Sequence, residues 1–307
     1  MKKINNELVV KLAKDFGFDL VGFAKADILS DEILLYENWL RNKFQAGMDY
    51  MTKNIDKKKD LRKILPEVKS IISLGLNYYK DDNYSDIPSK SGKVSRYAWG
   101  KDYHKVIKEM LRKLEIRLKE IDKEFISISY VDTGPVMDKV WAVRAGLGWM
   151  GKNTNIINRN IGSWFFIANI LCNYEFEYSN QIEDFCGSCN ACIEACPTNA
   201  IIVPYVVDSN KCISYQTIEN KDVISDQLKG KFDNWAFGCD ICQDVCPWNI
   251  RFSEESPLPE FGAENKFLNY KEIQKMNEEE FNSKYKNSPI RRSKLKGIKR
   301  NLSFLFD

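Results

Sequence analysis

The feature that most constrains this chain is the spacing of its cysteines. Eight of the nine lie within the 61 residues from Cys186 to Cys246. The first four, together with Pro197, follow the pattern C-x2-C-x2-C-x3-C-P. In bacterial ferredoxins this run supplies three thiolates to one [4Fe-4S] cluster and a fourth thiolate to a second cluster. The spacing therefore predicts a module that folds around two iron–sulfur clusters.

The second half of the segment completes the set of ligands. A shorter run, C-x2-C-x3-C-P, ends at Pro247, and Cys212 lies between the two runs as the eighth thiolate. In two-cluster ferredoxins the last cysteine of a run binds the other cluster. This crossed arrangement assigns the first cluster to Cys186, Cys189, Cys192 and Cys246. It assigns the second cluster to Cys196, Cys212, Cys239 and Cys242.

Cysteines have other uses, which the sequence favours less. Two structural zinc sites also need eight cysteines, but zinc spacings rarely contain this run. Disulfides need an oxidising compartment, and Asn5, Asn6 and Glu7 lie where a signal peptide has its apolar core. We therefore expect iron–sulfur clusters in a reducing cytoplasm. Cys172, the ninth cysteine, ends an apolar stretch and is predicted to be a small buried side chain.

Length and composition indicate a folded protein of more than one domain. At about 100–200 residues per domain, 307 residues predict two domains and an appendage. The 44% of hydrophobic residues exclude a disordered chain, and no apolar run reaches the roughly 18–20 residues that span a bilayer. We divide the chain into a layered domain at 1–171, a ferredoxin-like domain at 172–250 and a basic, mostly helical tail at 251–307.

Hydrophobic periodicity predicts alternating helices and strands before the cysteines. The predicted helices cover residues 5–16, 30–44 (capped by Ser30), 102–121 and 135–146. The predicted strands cover residues 19–24, 70–76, 125–131 and 164–171. The polar stretch 80–93 is predicted to be a loop. This alternation favours a layered domain of the α/β or α+β class.

Five motifs resemble those of the epoxyqueuosine reductases, and they occur in the order found in that family. They are RYAWGKDYHKV (96–106), VDTGPVMDKVWAVRAGLGWMGKNT (131–154), CGSCNACIEACPTNAI (186–201), CISYQTIEN (212–220) and GCDICQDVCPWN (238–249). The resemblance extends over about residues 1–305. Enzymes of this family depend on cobalamin and carry out the last step of queuosine formation in transfer RNA.

The resemblance implies a cobalamin-binding N-terminal domain joined to a two-cluster ferredoxin-like domain. Electrons would pass from the [4Fe-4S] clusters to cobalt, and the reduced cofactor would remove the epoxide oxygen of the modified base at the anticodon wobble position. The resemblance further implies that Asp132, in the DTGP segment, is the proton donor. The spacing by itself leaves open that Asp132 only caps the turn before Pro135.

The resemblance also indicates contacts to cobalamin. Ser214 in CISY, and Cys239 with Asp240 in GCDIC, match positions expected near the cofactor. Further candidates in the matching motifs are Tyr97, His104, Arg144 and Lys152. The glycines beside Lys152 can cradle an anion, but they do not form the full G-x-G-x-x-G pattern.

The single histidine does not fit the usual cobalt-ligand motif. Cobalamin enzymes that bind the cofactor through histidine use D-x-H-x-x-G. Here Asp102 and His104 match the first half, but Ile107 stands in the place of the glycine. We therefore interpret His104 as a pocket residue and expect no protein ligand below the cobalt. The alternative is a surface histidine at the start of a helix.

The end of the chain is strongly basic. Residues 282–306 contain no acidic residue, and residues 291–300 contain six Lys or Arg. Because transfer RNA is a polyanion, Arg291, Arg292 and Lys294 are predicted to contact it; a solvated helix end is the alternative. Many family members continue with helical HEAT-like repeats. We interpret this chain as the form without those repeats.

Two other functions fit part of the sequence. One is a reductive dehalogenase-like enzyme that uses the same cofactors on a small molecule, although the VDTGP and CISYQTIE motifs fit it less well. The other is an electron-transfer subunit that binds no cobalamin and catalyses no reaction. For the favoured function we expect an external low-potential electron donor, transfer RNA as a partner, no membrane association and a monomeric state.

Overall fold

The computed structural model describes residues 3–307. Its helices, α1 to α11 in chain order, are Asn6–Asp15, Ser30–Arg41, Ile55–Lys59, Tyr103–Ile121, Asp138–Arg144, Ala191–Glu194, Ile241–Asp244, Pro247–Phe252, Tyr270–Lys275, Glu278–Lys284 and Lys294–Phe306. Its strands, β1 to β11, are Leu20–Lys25, Ser70–Asn77, Ser91–Val94, Ser127–Tyr130, Trp149–Met150, Ile156–Ile157, Phe165–Cys172, Ile201–Val203, Val206–Val207, Trp235–Phe237 and Phe267–Asn269. None of the helices in this range has both the length and the apolar composition to cross a membrane.

The N-terminal part is built on a four-stranded sheet of order β1-β2-β7-β4, antiparallel throughout. The central strands β2 and β7 are almost wholly buried because both faces of the sheet are covered. Helices α1 and α4 pack on one face, and α5 packs on the other. The layered mixed fold predicted from the alternation is therefore confirmed, as its α+β variant.

Most predicted elements before the cysteines are confirmed with small shifts at their ends. Helix α4 begins after Asp102, whose carboxylate accepts a hydrogen bond from the backbone N–H of His104 at 3.0 Å. Cys172 ends β7 and is fully buried, as predicted. Strand β4 is shorter than predicted, since it ends at Tyr130 and leaves residues 131–137 as a loop.

Three predicted elements are wrong in part. Helix α2 ends at Arg41 rather than residue 44 because Lys43 adopts a left-handed backbone conformation. Ser30 is the first helical residue and does not act as the cap. The predicted loop 80–93 contains most of strand β3, and α5 begins at Asp138, three residues after Pro135.

A second, three-stranded sheet joins distant parts of the chain. Its order is β10-β3-β11, so it takes one strand from each of the three predicted segments. Helix α11 packs on this sheet through Ile298 and Leu302. The tail is thus part of the fold. The boundaries at 171 and 250 remain predictions about the chain, because the three segments share this sheet.

Helix α11 also holds a short π-helical turn, Tyr215–Glu219, that follows Cys212. The Asn301 amide donates hydrogen bonds to the carbonyl oxygens of Thr217 (2.7 Å) and Ala236 (2.8 Å). The Thr217 hydroxyl in turn accepts from the backbone N–H of Gly238 at 2.9 Å. Because Gly238 precedes Cys239, these bonds set the Cys212 segment against the Cys239 segment.

Candidate active site

The first cysteine quartet surrounds a small cavity. Cys186, Cys189, Cys192 and Cys246 line a space of about 140 Å³ together with aromatic side chains, chiefly those of Phe185 and Trp248. The ammonium of Lys152 closes one side, where it donates to the carbonyl oxygens of Gly187 (2.7 Å) and Cys189 (2.9 Å). Lys152 therefore braces the cysteine loop, which differs from the predicted contact with cobalamin.

The second cysteine quartet lies on the wall of a much larger cavity. This cavity, of about 1070 Å³, is lined by many residues, and its cysteines are Cys196, Cys212, Cys239 and Cys242. The two cavities therefore divide the eight cysteines into the same two groups that the crossed ferredoxin arrangement assigns. This grouping supports the predicted ligand sets, which remain a proposal.

The arrangement of each cysteine quartet around a cavity favours clusters over single ions. A tetrahedral zinc with Zn–S bonds of about 2.3 Å draws its sulfurs to about 3.8 Å from one another. Within residues 3–307, no three His, Cys, Asp or Glu side chains converge on such a single-ion site. A cysteine quartet around a cavity instead suits a polynuclear cluster, which holds its thiolates farther apart.

Asp132 lies on the same large cavity as the second quartet. It follows β4 and adopts a φ of 52°, a left-handed conformation that aspartate tolerates better than most residues. Its Oδ2 accepts a hydrogen bond of 2.7 Å from the hydroxyl of Tyr103, the first residue of α4. The Tyr103 ring stacks on Phe166 of β7 with a centroid separation of 4.2 Å. Asp132 therefore projects into the cavity and does not merely cap a turn.

His104 lies beside Asp132 and also lines the cavity, so it is a pocket residue and not a surface histidine. Its Nδ1 is 2.9 Å from Oδ1 of Asp102. Burial raises the pKa of Asp102, but hydrogen bonds from the His104 ring and backbone N–H outweigh it and hold that pKa below its usual value. An ionised carboxylate only accepts, so Nδ1 carries the hydrogen.

This bond turns the other ring nitrogen of His104 toward Asp132. Nε2 lies 3.7 Å from Oδ2 of Asp132. It is buried and has no hydrogen-bond partner among the described residues. Burying a nitrogen without a hydrogen-bond partner costs free energy, so such an atom in a native structure needs an explanation, for example a bound molecule. The Nε2 atom is therefore available to a bound molecule or to the carboxyl group of Asp132.

Two charged residues at the start of α5 lie close to this group. Lys139 lines the cavity, and burial lowers the pKa of its ammonium. Its Nζ donates to the carbonyl oxygen of Thr154 at 2.8 Å. Asp138 accepts a 2.7 Å hydrogen bond from the Asn169 amide. Burial raises the pKa of Asp138 to about 7, and the charge of Asp132 adds to the effect.

The other predicted cofactor contacts divide into two groups. Tyr97, Ser214 and Cys239 line the large cavity, as expected for residues near a bound cofactor. Asp240 and Arg144 are not among its lining residues. Each of these two side chains is held by other protein groups, and their contact with cobalamin stays a prediction.

Asp240 anchors the loop that carries Tyr97. It is 1% exposed and accepts hydrogen bonds from the hydroxyl of Ser95 and from the backbone N–H of Arg96 at 2.9 Å. Arg144 binds Glu32 of α2 with an Nη2–Oε1 distance of 2.7 Å. Both residues hold elements of the fold in place, and neither faces the cofactor-sized space.

The basic residues of the tail have different surroundings. Arg291 and Arg292 line the large cavity, whereas Lys294 is exposed outside that lining. Arg292 forms an ion pair with Glu219, with Nε 2.7 Å from Oε1, and its Nη1 lies 3.9 Å from Oδ2 of Asp132. Arg300 donates hydrogen bonds to backbone carbonyls, including that of Gln216 at 2.8 Å. The basic stretch is thus partly a structural element.

Some cavity residues were not predicted from the sequence. Tyr103, Lys139 and Glu219 line the same space as Asp132. Each lies within one of the family motifs, next to or near a predicted residue. That adjacency was the available signal, but their orientation toward Asp132 depends on packing between separate elements.

The large cavity fits cobalamin. Its volume exceeds the roughly 300–1,000 Å³ of most small-molecule sites. Its lining combines apolar side chains for the face of a flat ring with hydroxyl groups for the amide edge of that ring; these include Phe165, Phe166, Ile213, Ile218, Tyr97, Ser209 and Ser214. The unpaired Nε2 of His104 supplies a further polar group. The residues that would hold the cofactor thus lie between the second cysteine quartet and Asp132.

Comparison with known proteins gives the same picture. Residues 58–133 match the family model described as epoxyqueuosine reductase QueG, DUF1730, and residues 185–249 match the 4Fe-4S double cluster binding domain. The epoxyqueuosine reductase of Leadbetterella byssophila is 46% identical over 95% of both chains. That of Cellulophaga algicola is 42% identical over 99% of both chains.

Solved structures agree with these sequence matches. A crystal structure of epoxyqueuosine reductase with an epoxyqueuosine-modified stem loop of a tyrosine transfer RNA superimposes with a TM-score of 0.91 and 32% identity. The match covers 97% of this chain and 80% of that one. A Bacillus subtilis structure, with its aspartate catalytic loop swung out of the active site, gives a TM-score of 0.87. By sequence and by structure, this chain belongs to the epoxyqueuosine reductase family.

Proposed function

We propose that this chain reduces epoxyqueuosine to queuosine at the wobble position of transfer RNA anticodons. The observation that carries the proposal is the shared cavity. The cysteines assigned to the second cluster and the carboxyl group of Asp132 face the same space, which is large enough for cobalamin. An electron source and a proton source thus meet at one site, as this reduction requires.

The reaction needs both sources. Removal of an epoxide oxygen to leave a carbon–carbon double bond consumes two electrons and two protons and releases water. The two [4Fe-4S] clusters and cobalamin, when bound, supply the electrons. The protein has to supply a proton to the oxygen, because an alkoxide is a poor leaving group near neutral pH. A positioned general acid typically contributes about 10²–10⁴-fold to the rate of such a step.

Asp132 is the residue that we assign to proton donation. Its Oδ2 is held by the Tyr103 hydroxyl at 2.7 Å, and the Nε2 of His104 lies 3.7 Å away. The Nη1 of Arg292 lies 3.9 Å from the same oxygen. Tyr103 orients the group, and Arg292 is itself paired with Glu219.

His104 is assigned as a pocket residue that would not serve as a ligand of cobalt, because the sequence around it lacks the glycine of the D-x-H-x-x-G motif. Its Nδ1 is engaged by Asp102, whereas its Nε2 lies 3.7 Å from Asp132 without a hydrogen bond. Electron paramagnetic resonance of the enzyme loaded with divalent cobalamin tests the assignment, since nitrogen hyperfine splitting from the protein would contradict it.

The RNA partner is supported by charge around the same cavity. The basic residues that line it are Lys105, Lys108, Lys139, Lys286, Arg291 and Arg292. Proteins read single-stranded RNA loops by taking unstacked bases into pockets while cationic side chains hold the phosphates. We propose that the anticodon stem-loop docks over this cavity, with the modified base inside it. Cytoplasmic location and a monomeric state remain predictions from the sequence.

The proposed function has a direct experimental test. The enzyme with both clusters is incubated with cobalamin, a strong chemical reductant and an epoxyqueuosine-modified anticodon stem-loop. Mass spectrometry should show the loss of one oxygen from the nucleoside. Turnover of a small halogenated substrate instead would identify a dehalogenase-like enzyme, and failure to bind cobalamin would favour an electron-transfer subunit.

A further inference from the structure

The first cysteine quartet lies close to the protein surface. Cys189 is exposed, whereas the second quartet faces the large cavity. The neighbouring helix α8 follows Cys246 directly and carries Ile250, which is 73% exposed. An electron that enters from outside therefore has its shortest access at the first quartet. The surface around that quartet is the place to look for a donor's binding site.

An aromatic row with an arginine at each end borders the first quartet. The guanidinium of Arg159 lies 4.0 Å from the ring centre of Phe185. Phe185 contacts Trp248, with ring centres 6.0 Å apart, and Trp248 stacks on Phe252 at 5.3 Å. The guanidinium of Arg251 lies 5.2 Å from Phe252. Phe185 and Trp248 also line the cavity of the quartet, so the row runs from the cluster site to the two arginines.

The two arginines differ from three other exposed arginines of this chain. Arg62, Arg112 and Arg117 each hold a carboxylate at 2.8–2.9 Å. Neither Arg159 nor Arg251 has an ion-pair partner within residues 3–307. Two unpaired positive charges that flank an aromatic surface are suited to a partner with negative charge.

The nearby carboxylate of Asp184 is held by other groups and forms no ion pair with either arginine. Its carboxylate accepts hydrogen bonds from the Tyr205 hydroxyl and from the backbone N–H of Cys186 at 2.7 Å. Asp184 thus serves the cysteine loop, and the arginines remain free to bind a partner.

We propose that the face formed by Arg159, Phe185, Trp248, Arg251 and Phe252 docks an acidic one-electron carrier protein of the flavodoxin or ferredoxin kind. The carrier is oxidised by one electron and the cluster of the first quartet is reduced by one, and no bond is made or broken. Two such transfers supply one epoxide reduction. This inference rests on the proposed function, which requires an external source of electrons.

RNA is the other polyanion that could meet these arginines, but the cavity geometry favours a protein carrier. Among the described residues, Asn153 alone lines both cavities. The RNA base has to reach the cavity that contains Asp132, whose own border already carries Arg291 and Arg292. The first quartet therefore presents a separate face, and RNA binding to that face becomes an outcome of the test.

The test uses the enzyme with both clusters and a chemically reduced acidic flavodoxin as the probe. The double variant Arg159→Glu/Arg251→Glu is compared with the natural sequence by stopped-flow bleaching of the visible cluster absorption. We expect cluster reduction by flavodoxin to slow by about tenfold or more at low salt and to lose most of its salt dependence. Reduction by dithionite, a small reductant, should be unchanged. The control Arg112→Glu/Arg117→Glu makes the same charge change on α4.

Each other outcome overturns the proposal. Equal slowing with flavodoxin and dithionite shows that the arginines support the cluster itself rather than a docking face, and an unchanged flavodoxin rate shows that the carrier does not dock there. Weaker stem-loop binding with unchanged cluster reduction assigns the arginines to RNA. Failure of the proposed function is separate, since it appears as no oxygen loss from the RNA when dithionite supplies the electrons, whatever the flavodoxin rates are.

Discussion

The hydroxyl of Tyr103 donates a 2.7 Å hydrogen bond to Oδ2 of Asp132. Tyr103 begins α4, and Asp132 lies in the loop after β4, so the bond joins two elements across the edge of the cavity. Burial raises the pKa of Tyr103, and the charge of Asp132 raises it further. Tyr103 therefore remains a donor near neutral pH and fixes the carboxyl group in the cavity.

The first prediction concerns Asp132 itself. Replacing it by Asn keeps the size of the side chain but removes the acid, so we expect turnover of the modified stem-loop to fall by about 10²–10⁴-fold. Iron content and cobalamin binding should not change. The control Asp31→Asn alters an acid in the first turn of α2, outside the cavity lining. A near-normal single-turnover rate for Asp132→Asn would remove the residue from the mechanism.

The second prediction concerns the support of Asp132 by Tyr103. Tyr103→Phe keeps the stacking on Phe166 and removes one hydrogen bond to a carboxylate. Such a bond contributes about 1.5–3 kcal/mol, so we expect a single-turnover rate lower by roughly 10–100-fold and a displaced pH–rate profile. Tyr174→Phe, which breaks the bond to Asp122, serves as the control. If both variants react at the natural rate, Tyr103 does not position the acid.

The third prediction concerns pH and the buried carboxyl group of Asp138. Its pKa is about 7 in the folded protein, above the ordinary value of 3.8. Between these values the folded protein keeps a proton that the unfolded chain releases, so the free energy of unfolding falls as pH rises through this window. Asp138→Asn removes this pH-dependent fall in the free energy of unfolding. Relative to the natural protein, the variant should gain stability between about pH 4 and pH 7 and hold the gain above that.

The size of the gain should be on the order of 2 kcal/mol, less than the full shift in pKa because the side chain keeps some contact with solvent. Apparent melting temperatures across the pH series provide the measurement. The control Asp31→Asn should not show this gain in melting temperature between about pH 4 and pH 7. A constant difference between Asp138→Asn and the natural protein at all pH values would contradict the assignment.

The fourth prediction concerns the two cysteine quartets. Cys189→Ala should disturb the first cluster alone and Cys212→Ala the second alone, so each variant should retain about four of the roughly eight irons. Cys172→Ala is the matched control, because Cys172 is buried at the end of β7 and lines neither cavity. Iron analysis and the visible spectrum give the result. Stoichiometric zinc without iron would show that the sites hold single ions.

The fifth prediction concerns the basic residues of the tail. Arg291 lines the cavity and bonds to Asn282, so its charge is available to a phosphate. Arg291→Glu/Lys294→Glu should weaken binding of the anticodon stem-loop and lower the salt slope by about one for each lost phosphate contact. Arg292 is left intact because it also holds Glu219. Binding equal to that of Arg112→Glu/Arg117→Glu would show that these residues do not contact RNA.

Local pattern was sufficient for much of the fold. The apolar stripes of α1 and α4 and the runs of β2 and β7 lie close to where periodicity predicts them. The α5 start and strand β3 were predicted less well. Strand β3 is polar in part and forms only because β10 and β11, more than 130 residues away, pair with it. Pairing with strands so distant in sequence produces no periodic hydrophobic pattern in the sequence of β3 itself.

The candidate site was also predictable only in part from the sequence. Cysteine spacing, interpreted with the crossed arrangement of two-cluster ferredoxins, predicted the two groups of thiolates that line the two cavities. Family motifs pointed to Asp132, Ser214 and Tyr97, which all line the large cavity. Motif membership did not distinguish them from Asp240 and Arg144, which hold the fold together.

The sequence by itself determined the iron–sulfur chemistry through its cysteine spacing and the family through its motifs, and the family resemblance implied cobalamin. The tertiary structure decided which polar side chains face the cavity and which are consumed by protein contacts. It brought Tyr103, His104 and Arg292 around Asp132, and it turned Lys152 toward the cysteine loop. The physical reason is that a side chain's partners depend on the packing of elements far apart in the chain, whereas a motif records only neighbours along it.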